Sequence, residues 1–363
     1  MKNTHLNILD DIEQIRSLDP DNMYNRIFDF PEQMEAALKT ALAWEVTPDD
    51  FPDVKNIIVI GMGGSAIGGD LVRAYLNSRL LVPFQICRDY NLPEYVDDET
   101  LVIASSYSGN TEETLSALDD ALQRKAMIAA LSTGGLLKDV ADLNDIPLVL
   151  LPPGLQPRAA LGYSFVPILI FLEKIGLIKG VQKDVEIAIR RLKELREKYI
   201  EDTPALSNPA KRMAQRMHGK IAVIYGGPGW TGVVALRWKG QICENSKNMA
   251  FSNLFPEVCH NELVGWSEPI KAHAAHLMVV MLRDMDDHAK VRKRMNIVKD
   301  VIERLEVEVV DIHSMGDSPL ERMFSLIQLG DFTSYYLAIL NGVDPTPVAL
   351  IESLKKALLD GNL

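Results

Sequence analysis

The sequence predicts an α/β protein with two doubly wound parallel sheets and flanking helices. Three observations predict it. Short, uninterrupted apolar runs of strand length alternate with stretches of helical spacing. The run at 56–60 ends in a glycine-rich turn that leads straight into a helix, and the same arrangement, a basic residue followed by an apolar run and a Gly-Gly turn, returns at 220–227. A chain of 363 residues is long enough to bury two such bodies.

Residues 1–45 read as two polar helices, the second with Pro31 in its first turn and running through Glu35, Ala36, Leu38 and Ala41 to Trp44. They are expected to lie across the outside of the molecule. Strands follow near 56–60, 84–87, 101–105, 127–131 and 147–151, with helices near 65–77, 111–124 and 135–142. The run Pro152-Pro153-Gly154-Leu155-Gln156-Pro157 breaks this rhythm, because neither strand nor helix tolerates it. A buried helix is expected over 158–179, a charged, solvent-facing one over 184–199, and a hinge near 203–209. The second half then carries a helix from Thr231 to about Glu244, strands at 276–283 and 307–312, and helices at 287–304, 319–340 and 347–359. The division this suggests is N-terminal helices over 1–45, a first domain over 46–180, a connecting helix over 181–208 and a second domain over 209–363.

Composition excludes several classes. A net charge of −12 is wrong for a general nucleic-acid binder, which needs clustered cations. The most apolar segment, 159–172, is too short to span a bilayer and contains Pro167, so no membrane partner is expected. The N-terminus has no apolar core of signal-peptide type, and Cys87, Cys243 and Cys259 show no paired spacing; both point to a reduced cytoplasmic protein.

The candidate site begins at Gly61-Met62-Gly63-Gly64-Ser65. A strand that turns through glycines into a helix aims the first helical amides at one point, and Ser65 adds a hydroxyl, so the turn suits an anion. Two alternatives remain: a turn that binds nothing, and a loose dinucleotide fingerprint, Gly61-x-Gly63-x-x-Ala66, with Asp89 as its ribose acid. The third strand ends in Ser105-Ser106-Tyr107-Ser108-Gly109-Asn110-Thr111. Asn110 with Glu113 fits a capping box, but a cap needs one polar side chain and this turn offers several. In a 2-1-3-4-5 strand order the two loops converge at the switch point. Two hydroxyl-rich loops suit a phosphate monoester better than a pyrophosphate.

Gly63-Gly64-Ser65 with Ser106-Tyr107-Ser108-Gly109-Asn110-Thr111 resembles the sugar-isomerase (SIS) domain. Together with Pro157-Arg158-Ala159, Glu244-Asn245-Ser246-Lys247-Asn248 and His260-Asn261-Glu262, it is similar to the bifunctional phosphoglucose/phosphomannose isomerase family over nearly the whole chain past the N-terminal helices. The resemblance implies two flavodoxin-like SIS domains and aldose–ketose isomerisation of hexose 6-phosphates through a cis-enediolate. It also implies that no cofactor is used. That chemistry needs a base, a cation for the oxyanion and a group that opens the ring. Glu244 is then the base and Arg158 the enediolate cation. His260 assists ring opening from the neighbouring subunit of a homodimer, and Lys355, or its neighbour Lys356, is the ring-opening lysine. Gly64, Ser65, Ser106, Ser108 and Thr111 hold the phosphate, and Thr346 leaves room for either C2 epimer. Cys259, Glu262, His273 and His276 invite a zinc site, but their spacing is irregular and no metal is expected. The rivals are a non-catalytic sugar-phosphate sensor, an amidotransferase acting on fructose 6-phosphate, which would need an ammonia-producing domain, and the nicotinamide-linked enzyme.

Overall fold

The computed structural model describes residues 6–359. Its first sheet is formed by β1 (Asn56–Ile60), β2 (Phe84–Cys87), β3 (Thr100–Ser105), β4 (Met127–Ser132) and β5 (Leu148–Leu150). The strands are all parallel, in the order β2-β1-β3-β4-β5. The second sheet is formed by β6 (Ile221–Gly226), β7 (Ala250–Leu254), β8 (Leu277–Arg283) and β9 (Glu308–His313), all parallel, in the order β7-β6-β8-β9. The expected α/β class and the 2-1-3-4-5 order are both present, so β1 and β3 are neighbours at the switch point of the first sheet.

The helices are α1 (Ile12–Ser17), α2 (Met23–Phe28), α3 (Phe30–Ala43), α4 (Gly63–Leu76), α5 (Glu112–Gln123), α6 (Gly135–Leu143), α7 (Leu161–Lys174), α8 (Val181–Arg196), α9 (Pro209–Met217), α10 (Trp230–Ser246), α11 (Ala289–Arg304), α12 (Pro319–Leu340) and α13 (Ala349–Leu359). A single apolar core joins the two sheets through α3, α4, α7, α10 and α12. Every residue of α12 from Leu320 to Leu340 is buried, so the helix is the axis of the molecule. Ser318 caps it through a reciprocal bond with Glu321, and Pro319 opens its first turn.

Three expectations are corrected, and two elements were not foreseen. The N-terminal helices do not merely cover the outside: Leu9, Ile15, Met23 and Met34 are fully buried, and α3 packs along α7. The buried helix expected over 158–179 starts as a short turn at Pro157–Ala159 and becomes α7 only at Leu161. The segment expected to be a hinge is tied down. Lys211 donates its ammonium to the carbonyls of Glu201 (2.7 Å) and Thr203 (2.9 Å), and Asn208 caps α9, a helix that the sequence reading passed over. β7 went unnoticed for a similar reason, since Ala-Phe-Ser-Asn-Leu lacks a continuous apolar run.

The two sheets also do not face a shared cleft with their carboxyl edges. α4 and α10 pack antiparallel. The start of α4, Gly63 and Gly64, lies with the end of α10 at Glu244, whereas Leu76 and Asn77 lie with Pro228 and Gly229. The carboxyl edge of each sheet therefore meets the far end of the helix that follows the other sheet's first strand.

Candidate active site

The loop after β1 bends into α4 without a side-chain cap; the Ser65 and Ala66 amides bond to the Met62 carbonyl, which leaves those of Gly63 and Gly64 to a ligand. Gly64 is required there by packing: a Cβ would lie 2.5 Å from the Pro157 carbonyl carbon and oxygen. That contact seats the 157–159 turn, and with it Arg158, directly on the glycine loop.

The two loops of the first sheet do converge. Tyr107 donates its backbone N–H to Ser65 Oγ (3.1 Å), which leaves the Ser65 hydroxyl proton free. Ser106 Oγ accepts the Gly109 N–H (3.1 Å) and lies 2.8 Å from Thr111 Oγ1. Ser108 is exposed, and its Oγ accepts the Asn110 N–H at 3.3 Å. The capping box that Asn110 and Glu113 could have formed is absent. Thr111 occupies the cap position of α5 without a side-chain bond to the helix amides, and Asn110 Oδ1 instead accepts the Leu136 N–H, tying this loop to the start of α6. Asp89 is exposed and bonds only to the adjacent Tyr90 N–H, a poor arrangement for a ribose anchor.

Arg158 is buried, contrary to what an arginine at a helix start usually does. Its Nε donates to Asn245 Oδ1 (2.6 Å), and Nη2 donates to the carbonyls of Pro345 (2.8 Å) and Thr346 (2.7 Å). Its Nη1 lies 3.4 Å from Glu244 Oε2. One guanidinium thus joins the first half, the end of α10 and the segment after α12. Burial pulls its pKa below the ordinary arginine value, against the pull of the Glu244 carboxylate, and leaves it a cation. Glu244 keeps 34% of its side chain exposed, facing a cavity of about 240 Å³ that Gly63, Gly64, Arg88 and Arg158 also line. A roomier hollow of about 640 Å³ beside α2 is lined by Asp21, Asp29 and Glu32 with one cation, Arg26, a net acidic wall that disfavours a phosphate.

A buried network that the sequence reading missed supports this corner. Arg237 donates to the Arg158 carbonyl (3.2 Å) and to Asp331 (2.7 Å), Gln241 donates to Asp331 (2.8 Å), and Asn245 donates to Ser334 (2.9 Å). Arg237 and Asp331 lie 94 positions apart, so no local pattern pairs them. Asn245 stood inside the quoted motif and was the available signal.

Thr346 is buried beside Arg158, and its hydroxyl has no partner. His260 and Lys355 are not brought to Glu244. His260 is exposed beyond the carboxyl end of β7, whereas Glu244 lies at the opposite end of α10, roughly 20 Å away along a helix rising about 1.5 Å per residue. Lys355 and Lys356 are exposed on α13.

The second sheet's switch point lacks the open, hydroxyl-rich turns of the first. Its glycine turn is closed by the Gly227 N–H bonding to Thr231 Oγ1 (2.8 Å). The loop after β8 carries Asp284, Asp286 and Asp287 where the first sheet has hydroxyls, and two of these acids are bound to Arg322.

A model of the SIS domain matches residues 51–151, and a model described as the bacterial phospho-glucose isomerase C-terminal SIS domain matches residues 206–358. A bifunctional phosphoglucose/phosphomannose isomerase of Caldicellulosiruptor bescii is 47% identical, covering 93% of this chain and 99% of its own. This chain belongs to the bifunctional phosphoglucose/phosphomannose isomerase family. A second member of the family, from Aquifex aeolicus, is 36% identical over 87% of this chain and 94% of its own. Among solved structures, a tagatose-6-phosphate ketose/aldose isomerase from Escherichia coli superposes with a TM-score of 0.71 at 16% identity, covering 90% of this chain and 95% of that one, which shows the shared fold. The two SIS folds expected from the sequence are present, and the chain, as a member of this isomerase family, is an isomerase.

Proposed function

We propose that this isomerase interconverts glucose 6-phosphate, and also mannose 6-phosphate, with fructose 6-phosphate through a cis-enediolate, without a cofactor. The observation that carries the reading is the pairing of Glu244 and Arg158 at 3.4 Å across from the glycine loop. A carboxylate that moves the proton between C2 and C1 sits beside the cation for the oxygen that becomes negative. Gly64, Ser65, Ser106, Ser108 and Thr111 hold the phosphate. Thr346, with a buried hydroxyl that has no partner among the described residues, faces the sugar and leaves room for both epimers.

The active unit in this reading is a homodimer in which His260 comes from the second copy. The distance between His260 and Glu244 within one chain supports it. So does the face of α13, where Leu350, Ile351, Leu354 and Leu358 are all exposed on one side of the helix. Docking of that helix against a second copy brings Lys355 to the site. The functional division is N-terminal helices to 45, a phosphate-binding domain over 46–180, a connecting helix over 181–208 and a domain over 209–363 that supplies the chemistry. Three free cysteines support a cytoplasmic setting, and among the described residues no helix is long and apolar enough to cross a membrane.

A coupled assay of the purified chain with each aldose 6-phosphate, with and without a chelator, tests the reading. Fructose 6-phosphate is expected from both, unaffected by the chelator. Failure to form it from either one overturns the proposal.

A further inference from the structure

We propose that Lys247 is a positioning residue for this reaction, its ammonium closing the end of α10 and fixing the charge around Glu244. The inference rests on the isomerase reading above and deepens it.

The last four carbonyls of a helix lack partners and carry its negative dipole end. In α10 that end is at Glu244, where an enediolate would develop negative charge. An uncompensated helix terminus would oppose that charge. Lys247 follows the last turn in the left-handed conformation, with φ 50°, at a position where glycine is the usual occupant. That backbone turns the side chain back along the helix, and Nζ donates to the carbonyl of Glu244 at 2.9 Å and lies 3.4 Å from that of Asn245. The residue as a whole is exposed, yet its ammonium is folded against the helix end.

The charged groups around it come from each neighbouring element: Glu244 from α10, Arg158 from the 157–159 turn and Asp344 from the segment after α12. Burial, and then the Arg158 cation, push the ammonium down to about 8, within the range where enzymes are assayed. Two cations then flank the single base, an arrangement that favours an anionic intermediate and is lost as Lys247 deprotonates.

The test compares K247G, K247R and the wild-type chain in kcat, KM, pH profile and thermal stability. Glycine suits the left-handed cap, so K247G is expected to melt no lower than wild type, which separates the ammonium from the fold. Its kcat is expected to fall about tenfold at pH 7 with KM within about threefold, as for an interaction made chiefly in the transition state. Wild-type turnover is expected to decline above about pH 8, and K247R, which stays charged, is expected to move that decline up by at least about one pH unit. A K247G variant with wild-type kcat, or a K247R variant whose decline stays where it was, overturns the role of Lys247 and leaves the isomerase reading standing. A wild-type chain that forms no fructose 6-phosphate overturns both.

Discussion

In the proposed reaction Glu244 and Arg158 divide one task between a group that must exchange a proton and a group that must not. Arg158 is locked by four bonds and stays a cation, whereas Glu244 is held by one contact at 3.4 Å and is free to swing between two carbons of a substrate. Replacing Glu244 with Gln keeps the shape and removes the proton acceptor. Turnover is expected to fall by about 10²–10⁴ with sugar-phosphate binding retained, measured as kcat beside an equilibrium titration. Near-wild-type kcat would remove Glu244 from the mechanism. Thr346 bears on specificity in the same reading. Its hydroxyl is buried and lacks a partner among the described residues, so a larger side chain would crowd the sugar that the proposal places beside it. Thr346→Gln is expected to change the ratio of mannose 6-phosphate to glucose 6-phosphate turnover, by at least about threefold if one contact is lost to one epimer. An unchanged ratio would dismiss that role.

At the scale of elements, the site depends on how closely α4 approaches the 157–159 turn. The Cβ of Gly64→Ala would meet backbone atoms that cannot rotate away, so the turn must shift and take Arg158 with it. The expected cost is about 1–3 kcal/mol in denaturant unfolding, typical of overpacking, together with a loss of turnover. Unchanged stability and activity would mean that the contact is slack. The strands, the glycine turn and the hydroxyl loops were legible in the sequence because their signals are local: an apolar run that ends in glycine, or hydroxyls crowded after a strand. Elements whose reason for existing is elsewhere were not. α9 is held by Asn208 and Lys211 bonding back to residues near 200, and β7 gains its pairing from β6 rather than from its own apolar content. Asn110 looked like a cap because the capping pattern is local, yet it accepts from the start of α6, 26 residues away. Arg237 and Asp331 meet only because α10 and α12 pack side by side.

The whole molecule sets two similar sheets in opposite senses across α4 and α10, and only one of them offers hydroxyls at its switch point. In the proposed reading this gives one phosphate site per chain, assembled from the carboxyl edge of the first sheet and the trailing end of α10. The carboxyl edge of the second sheet, with His260, is left at the far end of α10, facing away from its own chain's Glu244. In a dimer with a two-fold axis the same patch meets itself, so a residue that each copy lends is also one that each copy borrows. E244Q and H260A chains, each expected to be nearly inactive alone, then complement each other when they are unfolded together and refolded. A mixed dimer holds one site with both side chains intact, from the Glu244 of one copy and the His260 of the other, and one site with neither. Random pairing of equal amounts makes half the dimers mixed, so recovered activity is expected to reach about a quarter of wild type. If Glu244 and His260 instead served the same site within one chain, mixing would restore nothing. The specific activity of the refolded mixture, set against each variant refolded alone, distinguishes the two arrangements.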